Sequence, residues 1–321
     1  MQVSTRHVVN RWREAIEART AVRGDLFYVA PGTTAIKVAG RTVTPSDNAD
    51  GLTPFSPLAT IDELFTKITT GEGDVGCLMK DGTYNLTANV STTKRDFTLM
   101  GAPGLNPRAV SVAGIDGGHA MELKGGNVHL IGFEIAGASD AHACCVLNGR
   151  YSLSEDMVYT SKAPDTEVAA YGLILACLAA HASGDKSDAS FVRVIGGEID
   201  YCARGLYVDN PTNSAFGGPT NNRIIGVVFG KNTTHDIDQA SDADINAWLF
   251  EKCKFRGPLP AGTSSAGKFV RLPNGANANT EVNAMIGCEF SDADVTSTGD
   301  VSLTGVNLIG CVDGTNAFVA I

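Results

Sequence analysis

One short phrase recurs along this chain and restricts its architecture more than any other feature. It is complete at Asn127-Val128-His129-Leu130-Ile131-Gly132-Phe133-Glu134-Ile135. It returns at Arg193-Val194-Ile195-Gly196-Gly197-Glu198-Ile199 and at Asn222-Arg223-Ile224-Ile225-Gly226-Val227-Val228-Phe229. A looser copy, Trp248-Leu249-Phe250-Glu251-Lys252-Cys253-Lys254-Phe255, has Lys252 in the glycine place. Two late copies are Ala284-Met285-Ile286-Gly287-Cys288-Glu289-Phe290 and Asn307-Leu308-Ile309-Gly310-Cys311-Val312. Each reads as a short apolar strand with a Gly in its middle and a large apolar residue following. Recurrence at intervals of a few tens of residues is the signature of stacked repeats.

The gaps between successive glycine places are 64, 30, 26, 35 and 23 residues. Each suits one turn of a parallel β-helix, with the gap of 64 covering two turns. A weaker element lies between the copies: Ala120-Met121-Glu122-Leu123, Gly205-Leu206-Tyr207-Val208, Lys268-Phe269-Val270-Arg271-Leu272 and Asn316-Ala317-Phe318-Val319-Ala320-Ile321. Each turn therefore holds at least two short strands, joined through Gly, Pro, Asn or Asp. A repeat this small cannot bury its own apolar face, and stacking makes one continuous core. The expected fold is all-β, a single-stranded parallel solenoid of roughly eight to nine turns.

Charge and composition exclude several classes of function. The net charge of −10 argues against a nucleic-acid partner, which requires a basic footprint. No apolar run of ~18 residues is present to span a membrane. The first residues, Met1 to His7, lack a basic-then-apolar signal peptide, so folding in a cytoplasm is expected. The 8 cysteines fit that reading. No C-x-x-C pair occurs, so no metal centre or cofactor is expected. Cys253, Cys288 and Cys311 follow the glycine place and should point inward as reduced core thiols.

Residues 4–21 read as an amphipathic helix with Val8, Val9, Trp12, Ala15 and Ile16 on one stripe. Residues 1–24 carry five Arg and two Glu, a local excess of positive charge on an acidic body. Two compatible roles follow. The segment is a peg that docks on a partner through Arg6, Val9, Trp12, Arg13, Ile16 and Arg19, or a cap that closes the solenoid's open end. The chain divides into this docking helix (1–24), a capping region with the first coil (25–95) and the solenoid (96–321). A second helix is expected from Ile61 to Ile68, opened by Pro57-Leu58-Ala59-Thr60. Lys80-Asp81-Gly82-Thr83-Tyr84 reads as a turn, and residues 155–167, 231–244 and 256–267 read as loops.

The ordered series Tyr28-Val29, Asp50-Gly51-Leu52-Thr53, Ala59-Thr60-Ile61, Gly73-Asp74-Val75, Gly82-Thr83-Tyr84 and Leu99-Met100-Gly101 resembles the start of right-handed β-helix proteins of the pectate-lyase-like superfamily. There a strand, an Asp-Gly-Leu loop, a capping helix and a Gly-Thr-Tyr turn lead into the first coil. The resemblance implies a right-handed solenoid with N-terminal capping helices. It does not imply one activity, since the superfamily holds lyases, hydrolases and inert fibre proteins. Short members are common among tailed-phage surface proteins: tail spikes, fibres and capsid decorations. Such β-helices associate side by side as homotrimers.

Strand alternation puts Glu134, Glu198 and Glu289 two places after the glycine, on the outward face, with Lys254 there in the loose copy. Turns ~4.8 Å apart make these a ladder, with Glu134 and Glu198 two turns apart, at the edge of the carboxylate spacing used by inverting glycosidases. A Lys254–Glu289 ion pair on a solvated face is the plainer reading. Asp209, in Val208-Asp209-Asn210-Pro211, is a third carboxylate to suspect. The superfamily's Asn-Thr-Asp and Trp-Ile-Asp-His signatures are missing, and the aromatic residues that line sugar clefts are only 7% of the chain. Ser-Asp-Ala recurs at Ser139, Ser187, Ser241 and Ser291, where turn chemistry is favoured over calcium. The six His are scattered, in no nucleophilic pattern.

The expected function is a non-catalytic bacteriophage structural protein on the virion surface, made in the host bacterial cytoplasm and held to capsid or tail proteins by its N-terminal helix. Because the chain ends inside the strand Phe318-Val319-Ala320-Ile321, a capsid decoration or short fibre is expected over a spike. The alternatives are a polysaccharide depolymerase using Glu134, Glu198 or Asp209, and an adhesin that binds a host surface glycan.

Overall fold

A computed structural model describes residues 13–17, 23–32, 34–79, 82–138, 141–163, 169–176, 189–209, 219–240, 245–256, 268–272, 283–290, 301–303 and 306–313. Within them the repeated phrase proves to be a corner between two strands. Gly132 stands between strands Val128–Ile131 and Glu134–Gly137 with φ at 66°. Gly196, Gly226, Gly287 and Gly310 hold the same place with φ between 59° and 65°. An L side chain in this left-handed region costs about 1–2 kcal/mol, and Gly avoids it. Each corner amide donates to the last strand carbonyl of the next turn, as Gly132 to Glu155 and Gly226 to Glu251. The corners therefore stack in register.

Among the described residues, two corners at this place of the phrase lack glycine. Lys252 has φ 53° and Asp156 has φ 51°. Asp156 fills the place that the 64-residue gap passes over, between strands Leu153–Glu155 and Val158–Ser161. The loop expected at 155–167 is thus corrected, because its first half forms a complete rung. Leu153-Ser154-Glu155-Asp156 has neither an apolar run nor a glycine, so the phrase is disguised there.

Each full turn carries three strands, one in each of three parallel sheets. Sheet one has ten: Leu26–Val29, Asp74–Leu78, Phe97–Gly101, Val128–Ile131, Leu153–Glu155, Arg193–Ile195, Arg223–Ile225, Leu249–Glu251, Asn283–Ile286 and Val306–Ile309. Sheet two has nine strands, from Gly82–Asn85 to Val312–Asp313, and sheet three eight, from Val90–Thr92 to Val301–Leu303. The crossovers between parallel strands take the right-handed sense that twisted strands favour. The expected right-handed β-helix is the fold. Two details differ from expectation. Gly82–Asn85 is a strand of sheet two, not a turn. His235–Gln239, inside the expected loop 231–244, is a strand of sheet three.

The interior is a set of columns. Phe229, Phe255 and Phe290 stack at centroid distances of 5.1 and 4.9 Å. Cys253, Cys288 and Cys311 are buried free thiols, each directed at a carbonyl of sheet one: Ile224, Phe250 and Met285. At the corner entering sheet one, buried Asn222 accepts from the Val192 amide and buried Asn283 from the Trp248 amide. These bonds satisfy backbone donors that no strand can reach.

Helix Ile61–Lys67 is capped by Thr60, whose side chain accepts from the Glu63 amide. Its Ile61, Leu64 and Phe65 pack into the main core. A second apolar cluster covers the outward face of sheet one's first strands. There Tyr28, Val75, Cys77, Met100 and Ile131 pack under Ile16 and the hairpin Ile36–Val38/Arg41–Val43. Residues 13–17 are helical and present Ile16 to this sheet.

Candidate functional site

Glu134, Val158, Glu198, Val228, Lys254 and Glu289 form one outward column on sheet two. Glu134 and Glu198 are two rungs apart in it. Lys254 Nζ lies 3.1 Å from Glu289 Oε2, the expected ion pair.

The face holds a residue that joins the upper carboxylates. Arg108 sits on the 3-10 turn Pro107–Ala109, which Asn106 caps by accepting from the Arg108 amide at 2.9 Å. Its Nη1 donates to Glu134 Oε2 at 3.3 Å. Its Nη2 donates to Glu198 Oε2 at 2.9 Å and to Asp200 Oδ2 at 2.8 Å. Arg256 Nη1 approaches Glu198 Oε1 at 3.8 Å. One guanidinium thus ties the rung of Glu134 to that of Glu198 and Asp200, filling the space between the two carboxylates. Beside it runs an open groove of ≈ 490 Å³, lined by Asn106, Arg108, Asp156, Glu198 and Arg256 among others.

Burial sets the electrostatics of this cluster. It raises Glu134 above the usual carboxylate range, partly offset by a Ser111 hydrogen bond and by Arg108. Asp200 is raised by burial too, again against the pull of Arg108. For Arg108, burial works to lower the pKa, but the hydrogen bonds and charges of Glu198 and Asp200 together push it up. Asp200 Oδ1 is buried without a hydrogen-bond partner among the described residues. The sequence reading missed Asp200 and Arg108. Asp200 was open to discovery, since it lies two residues after Glu198 and alternation puts it on the same face. Arg108 had no such signal, being 90 residues from Glu198.

Asp209 does not join this cluster. It ends strand Arg204–Asp209 of sheet three, so the three suspected carboxylates do not converge. Its neighbourhood is a second polar group. Buried Asp238 accepts from Arg204 Nε at 2.7 Å and from Arg271 Nη2 at 3.0 Å. The Arg204 guanidinium lies 5.4 Å from the Tyr171 ring centroid and 5.8 Å from that of Tyr207. Burial, with Asp209 contributing, pushes Tyr207 up to about 12. Each Asp238 oxygen is held by a guanidinium, the pattern of a cross-strand tie.

The suspected docking residues divide. Ile16, named with the docking residues, is fully buried in the chain's own second cluster. Arg13 is exposed and pairs with Glu17 at 2.7 Å. Arg6, Val9, Trp12 and Arg19 lie outside the described residues, as do the Ser-Asp pairs of all four Ser-Asp-Ala turns and the strand expected at 316–321. Among the described residues no cluster of His, Cys, Asp and Glu is arranged to hold a metal, and no helix is long and apolar enough to cross a membrane.

No family model and no curated protein matches the sequence. Solved structures do match in shape. The Geobacillus virus E2 protein ORF18 aligns with a TM-score of 0.55 at 16% identity, over 79% of this chain and 48% of that one. The catalytic unit of an α-1,3-glucanase from Streptomyces thermodiastaticus aligns with a TM-score of 0.37 at 13% identity, over 79% of this chain and 44% of that one. The Dettilon tailspike protein aligns with a TM-score of 0.30 at 11% identity, over 84% of this chain and 60% of that one. The chain spans less than half the length of the first two. The likeness to the Geobacillus virus protein is one of fold.

Proposed function

We propose that this chain is a bacteriophage structural protein carried on the virion surface, a rigid non-catalytic rod of the capsid-decoration or short-fibre kind. The observation that carries the non-catalytic part is the Arg108 bridge. A glycosidase needs the space between its two carboxylates for sugar and water. Here a guanidinium bonded to Glu134, Glu198 and Asp200 fills it. The viral origin of the fold match at TM-score 0.55 supports the location. Attachment runs through the arginines of the N-terminal segment, with Ile16 anchoring that segment to the rod. Mass spectrometry of purified particles should find the chain at fixed stoichiometry, and its absence from them sinks the proposal. Arg13→Glu should lower its occupancy on particles while leaving the rod folded.

A second reading, polysaccharide cleavage, is favoured by one observation. Burial raises both Glu134 and Asp200, and Glu198 beside them lines an open groove, which suits a proton donor. Incubation with host capsule or lipopolysaccharide decides it. New reducing ends that disappear in Glu134→Gln would establish cleavage, and none at any pH removes it.

A further inference from the structure

Where the chain turns a corner, strand amides need acceptors that the ladder of backbone carbonyls does not supply. At the corners entering sheet one, Asn222 and Asn283 provide them. At one corner entering sheet three the acceptor is an imidazole. The Ala143 amide, which opens strand Ala143–Leu147, donates to His119 Nδ1 at 3.0 Å. His119 belongs to the preceding turn, just ahead of strand Met121–Leu123. The next bond of the same seam runs the other way, from the Ala120 amide to the Ala143 carbonyl at 3.0 Å. His119 thus closes the first link between two adjacent turns of sheet three. That link is made by a group that titrates near neutral pH.

The bond fixes the protonation state of the ring. A neutral imidazole has one bare nitrogen. Because Nδ1 accepts from Ala143, the ring hydrogen is on Nε2. A second proton can enter only at Nδ1. There it sets an N–H against the Ala143 N–H, donor facing donor. The imidazolium has to turn away, and the Ala143 amide loses its acceptor. An asparagine in this place would hold the amide at any pH. A second histidine strengthens the effect. His142 stands one turn on, its ring centroid 5.2 Å from that of His119 and the rings at 85°. Both are half-buried, and two imidazolium ions at this distance repel. His142 also joins the seam, since its carbonyl accepts from the Ala170 amide of the following turn at 2.9 Å.

The surrounding charges do not favour the extra proton. Among the described residues, three ionisable groups act on His119: His142 from the next turn, and Glu122 and Lys124 from its own. The Glu122 carboxylate is already engaged, by Lys124 at 3.0 Å and by the Ser91 hydroxyl of the preceding turn at 3.0 Å. Burial holds the His119 pKa below the ordinary histidine value, with His142 and Lys124 acting in the same direction and Glu122 against it.

We propose that His119 is a proton-operated latch: protonation at Nδ1 releases the Ala143 amide and loosens the seam of sheet three between these two turns. The sign follows from linkage. A histidine kept neutral in the fold gives stability that is complete above the unfolded pKa of about 6.5 and is lost as the pH falls towards the lower folded value. This runs opposite to Glu134 and Asp200, whose burial penalty eases in acid. The latch rests on the packing of two turns alone, and it holds or fails whether or not the chain rides on a virion.

Amide hydrogen exchange of the full chain, read residue by residue by NMR and expressed as protection factors, removes the intrinsic pH dependence of exchange. Ala143 protection should fall about five- to tenfold from pH 7.5 to 5.5, because a freed imidazole takes up its proton over that range and the bonded one does not. The Gly226 amide, whose acceptor is the Glu251 carbonyl, should keep its protection. The His119 ring should titrate below free histidine, with the Ala143 amide shift following the same curve. In His119→Gln, whose side-chain oxygen cannot titrate, Ala143 protection should not depend on pH. Unchanged Ala143 protection while His119 titrates, a His119 ring already charged at pH 7.5, or the same acid loss in His119→Gln would each overturn the proposal. The first two are read on the wild-type chain, so the test stands even where the variant fails to fold.

Discussion

At the scale of single residues the molecule turns on Arg108. Replacing it with Ala leaves Glu134, Glu198 and Asp200 without their shared cation. The side chain of Arg108 is 40% exposed, so solvent softens the loss to about 1–2 kcal/mol at neutral pH. The pH dependence has a definite sign. Glu134 and Asp200 have folded pKa values raised by burial, so their ionisation in the folded state carries a penalty. That penalty is absent below the ordinary carboxylate pKa of about 4 and complete above the raised folded values. Arg108 reduces it. The Arg108→Ala deficit should therefore be largest at pH 7.5 and shrink as the pH falls towards 4, as urea unfolding at the two pH values will show. The outward place of Glu134 and Glu198 was legible because strand alternation is strict. Arg108 was not, because its partners are brought near by stacking turns, and no local pattern records which turns stack.

At the scale of elements the corners and the core columns carry the stability. Gly226 has φ 65° and open space where a Cβ would stand, so Gly226→Ala adds backbone strain and no clash. It should lower stability by about 1–2 kcal/mol. Lys252 already bears that strain at φ 53°, and its ion pair with Glu251 is long at 3.7 Å. Lys252→Gly should raise the melting temperature, a gain of about 0.5–1 kcal/mol. Phe255→Ala, which opens the stack between Phe229 and Phe290, should cost about 3–5 kcal/mol in chemical denaturation. The Gly-marked corners were readable from the sequence as a repeat, though their nature as corners was not. The strands at 158–161 and 235–239 were hidden for a physical reason. Asp236 is buried in the second, and Asn232 Nδ2 donates to it at 2.8 Å, so a polar residue stands where the pattern calls for an apolar one.

At the scale of the whole molecule, three columns of strands define a rod in which each turn touches its neighbours along the axis. Such solids lack a single nucleus of stability, and terminal turns detach more readily than inner ones. Parallel stacking was legible from the spacing of the phrase, because only a stacked repeat explains it. The cover over Tyr28, Val75, Cys77 and Met100 on the outward face of sheet one was not, since alternation cannot tell an apolar residue under a covering segment from one left in the open. The Arg108 bridge has a mechanical consequence. Under tension applied from the C-terminal side, turns beyond Asp200 should peel away singly, each lengthening the chain by its own few tens of residues. The pulling force then meets a block in which the turns of Glu134, Val158 and Glu198 are bolted together by one side chain. Optical-tweezer traces should show a staircase of small steps ending in one larger rupture, and in Arg108→Ala that rupture should dissolve into small steps like the rest.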